Sequence, residues 1–513
     1  MLDLVLRDAL VVDGTGGAPF AGSVGIAGNR IVRIERGSGD VTPPAASTID
    51  ARGRALAPGF IDVHNHSDLS PLILPEMPST VRQGVTTVVV GNCGSSPFPL
   101  AALDDAIWLA NGGVDEVPRP DWAGYGDYLD AIGAARPAVN IATLVGHASI
   151  RREVLGLERR APSASELARM RAFVTEAMDA GAFGLSTGLI YVPGRFGATD
   201  EVVAVAEEAA RAGGLYASHI RGEARTLFAS IEEALEVGAR AGLPVHISHL
   251  KCDGSHVWRR SGELLERLHG APDATADQYP YTAWNSSLAS LLPEWAPVAD
   301  LGRLWRSEHE ELTREVGREA DGIGWDRIVV IQTSEARWNG MDVAAIAAAI
   351  GTEPVDAVVR LLVADPTTSI VGHAMLEEDV ERIFADPDVF VASDASATAP
   401  DGPGGDHPVH PRDYGTFPRA LALARDRELL TLEAVVRKMT SLPAERFAIR
   451  DRGTIREGAF ADLVLLDPAT VRDVSTYEAS HAFPAGIELV VVNGTVAWRP
   501  EAAIARAGAV LRR

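Results

Sequence analysis

Two histidines separated by a single residue, His64 and His66, follow an apolar run in the segment APGFIDVHNHSDLS. Because side chains alternate along a strand, this spacing places both imidazoles on one face. Three more potential metal ligands, His219, His249 and Asp394, lie in YASHIRGE, HISHLK and VASDAS, at or near the ends of other apolar runs. Neutral imidazoles with a carboxylate suit zinc. The pattern predicts a metal site assembled from separate strands.

The elements that must position these residues alternate between two types. Apolar runs such as VTTVVVGN, VNIATLVGH, GLYASHI and LPVHISHL are separated by Ala-, Glu- and Arg-rich helical segments. This rhythm indicates βα units around a parallel sheet, and a (β/α)8 barrel is the favoured closure, with its active site at the carboxyl ends of the strands. An open doubly wound sheet is the alternative, but no glycine-rich dinucleotide-binding motif follows the first strand.

The two chain ends differ from the middle. Residues 1–55 and 445–513 contain short alternating runs broken by Asn-Gly and Gly-Gly pairs, which predict one small β-sandwich domain. The final PEAAIARAGAVLRR is expected to be helical.

Residues 56–444 then form the barrel domain. Residues 282–388 separate its last two candidate strands, a stretch that must contain its own structure. We expect an inserted lid around residues 282–345.

Composition narrows the function classes. The net charge of −23 argues against nucleic acid as a partner, since its phosphates would be repelled. No stretch approaches the ~20 apolar residues that span a bilayer, and the N-terminus lacks the pattern of an export signal. Two distant cysteines among 513 residues form no disulfide framework. We therefore expect a cytoplasmic protein that acts on a small molecule; the sequence predicts no particular oligomeric state.

The chain resembles the amidohydrolase superfamily and, within it, the N-acyl-D-amino-acid deacylase (D-aminoacylase) family. PGFIDVHNH is similar to the entry signature of the superfamily. More specific similarity to the deacylases lies in GLSTGLIYVPG, ASHIRGE, HISHLK, DQYPYTA, GHAM and HPRDYGTFPRAL. The resemblance covers nearly the full length and implies a TIM-like barrel of the metal-dependent hydrolases.

The resemblance gives Cys93, in VVVGNCGSSPFPL, a role. Taken alone, a cysteine at the end of a strand is commonly a core residue. Superfamily members with two metals often bridge them with a carboxylated lysine, but no lysine precedes Lys251 here. The deacylases use a cysteine instead, so Cys93, His219 and His249 are expected to bind one tight zinc. His64, His66 and Asp394 would frame a second, weaker position, while Cys252 is expected to be a small buried residue.

The resemblance also implies the reaction, in which an N-acyl-D-amino acid is hydrolysed to a carboxylate and a free D-amino acid. Asp394 is expected to be the general base, which takes a proton from water and returns it to the leaving nitrogen. The substrate carboxylate needs cationic and hydrogen-bonding partners. The candidates are Lys251, Arg412, Tyr281 and Tyr191.

Other interpretations remain open at this point. A cyclic amidase of the hydantoinase or dihydroorotase type would share the barrel and the two spaced histidines, although the missing lysine counts against it. A non-catalytic homologue should have lost metal ligands, and none is lost.

Among neighbouring residues, Arg221 and Glu223 are expected to form an ion pair, and strand alternation predicts that His246 faces away from His249. His147 is a weaker candidate for a substrate contact.

Overall fold

The barrel predicted from the alternating pattern is present in the structure. The structure is a computed structural model, and it describes residues 1–37, 44–99, 122–271, 273–293, 295–402, 405 and 407–513. Its strands pair in parallel, and the bridge between Asn65 and Ala395 joins the segments that follow the first and last of them. The third strand is interrupted at Leu144. The strands are Phe60–Asp62, Val85–Val90, Asn140–Thr143 with Val145–Gly146, Gly184–Gly188, Leu215–His219, Val245–Ile247, Ala274–Gln278 and Val389–Val391.

The helices follow from local signals, of which Ala164–Ala180 is an example. Ser163 accepts a hydrogen bond from the Glu166 N–H at its start, and Gly181, with φ of 112°, ends it. Its buried side chains recur at helical spacing and face the barrel. The other α-helices outside the insertion are Ser70–Ile73, Pro78–Val81, Tyr125–Ala135, His147–Leu155, Thr199–Arg211, Leu227–Ala241, Ser261–His269, Glu377–Ala385, Arg412–Asp426, Leu432–Lys438 and Ser441–Arg446, with a 3-10 turn at Gly194–Phe196. None of the described helices is long and apolar enough to cross a membrane.

Strands from both chain ends share one hydrogen-bonded sheet. The two ends meet where Ala55–Pro58 pairs antiparallel with Leu463–Leu466. Alternating apolar side chains of both segments, including Leu6, Ile26 and Leu489, are buried together on one face. The remaining strands of this sheet are Leu2–Val11, Phe20–Ala27, Arg30–Arg36, Ala45–Asp50, Ile487–Val492 and Thr495–Trp498.

The C-terminal tail is extended, so the helix expected for its last residues was wrong. The backbone N–H of Gly508 donates to Pro137 O at 2.8 Å, and that of Leu511 donates to Ile141 O at 2.7 Å. The tail therefore runs beside the third barrel strand. Backbone hydrogen bonds to a distant segment replace the local i→i−4 pattern, which shows tertiary context overriding helix propensity.

An inserted subdomain spans residues 284–372 and is longer than the segment expected around residues 282–345. Its antiparallel sheet contains Trp284–Ser287, Ser369–Gly372 and Ile328–Gln332. It has a hydrophobic core separate from that of the barrel, with Leu312 and Val358 fully buried. Its helices are Leu301–Ser307, His309–Ala320, Val343–Ile350 and Pro354–Ala364, with 3-10 turns at Leu288–Leu291, Val298–Asp300, Trp325–Arg327 and Ala336–Trp338.

Candidate active site

Cys93 lies in a tight turn after the second barrel strand. Gly91 and Gly94 adopt φ of 81° and 73°, and Cys93 itself has φ of 52°, in the left-handed region that non-glycine residues rarely adopt. A Cβ atom on Gly94 would lie 2.5 Å from the backbone nitrogen of Gly188, so this turn packs directly on the fourth strand. A residue held in such a conformation is typical of functional sites, where the surrounding packing offsets its cost.

The turn brings the Cys93 thiol to two predicted ligands. Cys93 Sγ lies 3.5 Å from His219 Nδ1 and 3.6 Å from His249 Nε2. Sulfur and nitrogen ligands of a tetrahedral zinc ion are about 3.6 Å apart, given their usual bond lengths. Both histidines are nearly fully buried. The donor types and these two separations therefore fit a zinc ion.

A second group of donors adjoins the first and shares Cys93 with it. His64 Nε2 lies 3.3 Å from Cys93 Sγ and 3.3 Å from Asp394 Oδ1, and His66 Nε2 lies 3.0 Å from the same oxygen. Asp394, like Cys93, has a left-handed backbone, with φ of 52°. The structure therefore brings all six predicted ligands together, with the cysteine between the two groups.

Two carboxylates orient the histidines, a role that the sequence pattern predicted for neither of them. Glu223 Oε1 lies 3.0 Å from His249 Nδ1 and accepts a hydrogen bond of 2.6 Å from Lys251 Nζ. Asp277 Oδ2 lies 3.3 Å from His64 Nδ1. A carboxylate on the far nitrogen of a histidine directs the other nitrogen towards a metal. The signal for Asp277 was its position in the block DQYPYTA, which begins at the end of the strand Ala274–Gln278.

The electrostatics of the site favour the charged forms of Asp394 and Cys93. Burial opposes ionisation of Asp394, but the charge of Arg412, whose Nη1 donates to Asp394 Oδ2 at 2.6 Å, holds the pKa of this carboxyl well below its usual value. Burial likewise opposes ionisation of Cys93, yet the adjacent His64 and His219 lower the pKa of the thiol well below its usual value. A thiolate is the form that binds zinc.

A cavity of about 570 Å³ opens over these groups. Its floor includes Cys93 and Asp394. One wall contains Lys251, Tyr279 and Arg412. A second wall is formed by the helix His147–Leu155 and by the loop after the fourth strand, through Ala148, Ser149, Arg152, Ile190, Tyr191, Val192 and Pro193. The insertion forms a third wall through Trp284, Asn285, Ser286, Ser287 and Ser290.

Of the predicted substrate-binding residues, Lys251, Arg412 and Tyr191 line this cavity, whereas Tyr281 does not. The Tyr281 hydroxyl donates to Pro411 O at 3.4 Å, away from the cavity. Tyr279 lines the cavity in its place. The strand ends at Gln278, so residues two apart beyond it, such as Tyr279 and Tyr281, need not face the same side.

Two expectations about neighbouring residues, the Arg221–Glu223 ion pair and the orientation of His246, were wrong, and the weaker candidate His147 lies outside the cavity lining. Arg221 pairs with Glu233 at 2.8 Å, while Glu223 pairs with Lys251. His246 does not point away from the site: its Nε2 lies 2.8 Å from Asp277 Oδ2, because His249 follows the end of the strand and alternation no longer applies. His147 is fully buried, with its Nε2 2.9 Å from Glu201, and does not line the cavity.

Comparisons with known proteins identify the family of the chain. Residues 47–497 match the model of the amidohydrolase family. The chain is 38% identical to the N-acyl-D-glutamate deacylase of Alcaligenes xylosoxydans xylosoxydans over 100% of this chain and 97% of that protein. It is 36% identical to the D-aminoacylase of the same organism, over 100% of this chain and 98% of that protein.

Among solved structures, the N-acyl-D-glutamate deacylase of Bordetella bronchiseptica superposes with a TM-score of 0.85 and 33% identity, over 100% of both chains. That protein was solved with zinc and a phosphonate inhibitor that mimics the tetrahedral intermediate of its reaction. The extent of the family match and the identity to full-length relatives lead to one conclusion. The chain belongs to the amidohydrolase family.

Proposed function

We propose that this protein is a zinc-dependent deacylase, which hydrolyses the amide bond of N-acyl-D-amino acids to a carboxylate and a free D-amino acid. The observation that carries the proposal is the group of half-buried Cys93 with buried His219 and His249, beside Asp394, in a cavity that is also lined by cationic side chains. The names of the relatives support the substrate class and its D configuration.

Cys93, His219 and His249 would hold one tight zinc, and His64, His66 and Asp394 would frame a weaker position that shares the cysteine. A zinc ion bound there supplies Lewis acidity, which polarises the scissile carbonyl and makes water a better nucleophile at neutral pH. The donor types, their separations and their burial all fit this ion, whereas magnesium or calcium would require oxygen ligands.

Asp394 is the proposed general base. Its low pKa keeps it ionised at neutral pH, so it can accept a proton from the attacking water. As the C–N bond breaks, the same carboxyl returns the proton to the departing nitrogen, which leaves as the amine of the amino acid. Arg412 orients the carboxylate through its contact with Oδ2, leaving Oδ1 towards the histidines.

The carboxylate of the substrate would bind at the wall of Lys251, Tyr279 and Arg412. Two buried polar atoms of this wall, Arg412 Nε and the Tyr279 hydroxyl, have no hydrogen-bond partner among the described residues. The guanidinium of Arg412 lies 5.0 Å over the ring of Tyr279. Buried donors without partners are costly, which indicates that a ligand oxygen completes them.

The insertion supplies one wall of the same cavity through Trp284–Ser287. This placement supports the proposal that residues 284–372 cover the bound substrate and exclude water from the reaction.

Both cysteines are free thiols, and a site that depends on Cys93 as a ligand fits the reducing cytoplasm.

A panel of N-acetyl-D- and N-acetyl-L-amino acids, scored for released amine, tests the proposed function. We expect hydrolysis of D substrates, with ratios of kcat/KM over the L enantiomers of at least ~10². The zinc content after dialysis should be about one ion per chain. Full activity in a metal-free protein would overturn the zinc proposal, and absence of amidase activity across the zinc-loaded panel would overturn the reaction.

The role of Glu223 as an orienting group gives a separate prediction. Glu223→Gln should weaken zinc binding by about 10- to 100-fold, because the far nitrogen of His249 loses its carboxylate partner. Competition with a chromophoric chelator measures this affinity. Glu233→Gln is the matched control, because Glu233 pairs with Arg221 rather than with a ligand, and it should leave zinc affinity unchanged. Equal effects of the two variants would contradict the assignment.

A further inference from the structure

Asp253 is a carboxylate in the cavity wall for which the proposed reaction has no use. It lies two residues after Lys251, and its Oδ1 accepts a hydrogen bond of 3.1 Å from the indole nitrogen of Trp284. Its backbone N–H donates to Glu223 O at 3.1 Å. This residue therefore joins the carboxylate-binding wall to the first strand of the insertion.

The connectivity of an N-acyl amino acid determines which wall its side chain meets. The side chain and the carboxylate are bonded to the same carbon, whereas the acyl group lies beyond the nitrogen, on the side of the metal ligands. Tyr191 packs on the candidate ligand His219, with ring centroids 4.8 Å apart, so the loop that contains Tyr191 adjoins the candidate metal ligands. The side chain would then meet Asp253 and Trp284, because Asp253 lies two residues after Lys251, the proposed partner of the substrate carboxylate, and contacts Trp284.

We propose that Asp253 is a specificity-determining residue that disfavours substrates with acidic side chains; this inference rests on the proposed function. The enzyme would then prefer N-acyl-D-amino acids whose side chain is neutral or donates hydrogen bonds. An acidic side chain at this wall would bring a second carboxylate towards Asp253 and Glu223. The charge of Lys251 does not offset this, because its ammonium already contacts Glu223 at 2.6 Å and faces the substrate carboxylate.

The rest of this wall offers neutral groups. The described insertion residues that line the cavity are Trp284, Asn285, Ser286, Ser287 and Ser290, which carry no charge. Arg152, the remaining lysine or arginine of the lining, belongs to the helix His147–Leu155 rather than to the insertion. Discrimination by an unfavourable like-charge contact is a common source of specificity between ligands of equal size.

N-Acetyl-D-glutamine and N-acetyl-D-glutamate test this inference, since they differ in charge and hardly in size. We expect kcat/KM for the glutamine derivative to exceed that for the glutamate derivative by at least ~10-fold. Asp253→Asn keeps an acceptor for Trp284 but removes the charge. It should lower this ratio by at least ~5-fold, mainly through a lower KM for the glutamate derivative. Assays at about pH 8 keep Asp253 ionised, since burial raises its pKa to about 6.

Asp321→Asn is the matched control, because it changes the net charge equally at an exposed carboxylate outside the cavity lining. It should leave the ratio within about twofold of the parent. A parent enzyme that prefers the glutamate derivative, or an Asp253→Asn ratio equal to that of the parent, would overturn the inference. Should Asp253→Asn fold poorly, product inhibition of the parent decides: D-glutamine must inhibit more strongly than D-glutamate. If neither derivative nor any other D substrate is hydrolysed, the proposed function fails instead.

Discussion

Cys93→Ala is expected to lose its zinc and, with it, at least ~10³-fold of turnover, because one of three tight ligands is removed. Cys93→Ser should not rescue either property, since a hydroxyl of high pKa is a poor anionic ligand. Elemental analysis of the dialysed variants and initial rates of amide hydrolysis measure the two effects. A fully metallated and active Cys93→Ala protein would show that this cysteine is only a core residue.

Cys252 provides the matched control for Cys93. It is fully buried, and burial raises the pKa of its thiol to about 12, so we expect it to react slowly with thiol reagents. Cys252→Ala should cost about 1 to 2 kcal/mol of unfolding free energy while zinc content stays unchanged. Alkylation separates the two thiols further: Cys93 should be protected in the zinc protein and labelled after chelation, whereas Cys252 should resist the reagent in both states. Labelling of Cys93 at equal rates before and after chelation would contradict its assignment.

Asp394→Asn should reduce kcat by at least ~10²-fold, because the amide cannot accept the proton of the attacking water. The tight zinc should remain near one ion per chain, since Cys93, His219 and His249 are unchanged. Rates measured with saturating substrate, together with zinc analysis of the same sample, separate the loss of the base from a loss of metal.

The control for Asp394→Asn is Asp326→Asn, at an exposed carboxylate of the insertion. It should keep both kcat and zinc content. A kcat of Asp394→Asn within a few-fold of the parent would place the general base elsewhere. A circular dichroism spectrum equal to that of the parent is required as well, because Asp394 is the buried partner of Arg412.

Much of the site could be predicted from local patterns. His64, Cys93, His219, His249 and Asp394 each follow or end an apolar run of strand character. In a parallel barrel the carboxyl ends of all strands meet at one rim, so residues far apart in the chain must converge there. The fold class, and the convergence of the candidate metal donors, thus followed from periodicity, residue type and the family resemblance.

The partners of these donors depend instead on contacts between distant segments. Asp277 contacts His64, Glu223 contacts Lys251 and His249, and Arg221 turns to Glu233. Such pairings require the relative rotation of neighbouring strands and loops, which residue spacing does not encode. Sequence alternation misplaced His246 for the same reason, since it holds only as far as a strand continues.

The boundaries of the larger units were also decided by non-local packing. The last helix and strand of the insertion, Pro354–Ala364 and Ser369–Gly372, resemble one more barrel unit in sequence, but their apolar side chains complete the separate core of residues 284–372. Residues 508–513 have helix-forming neighbours, yet their backbone pairs with residues 137–141 and 181. In both cases the free energy of tertiary hydrogen bonds and burial exceeds the small local preference that a sequence pattern reports.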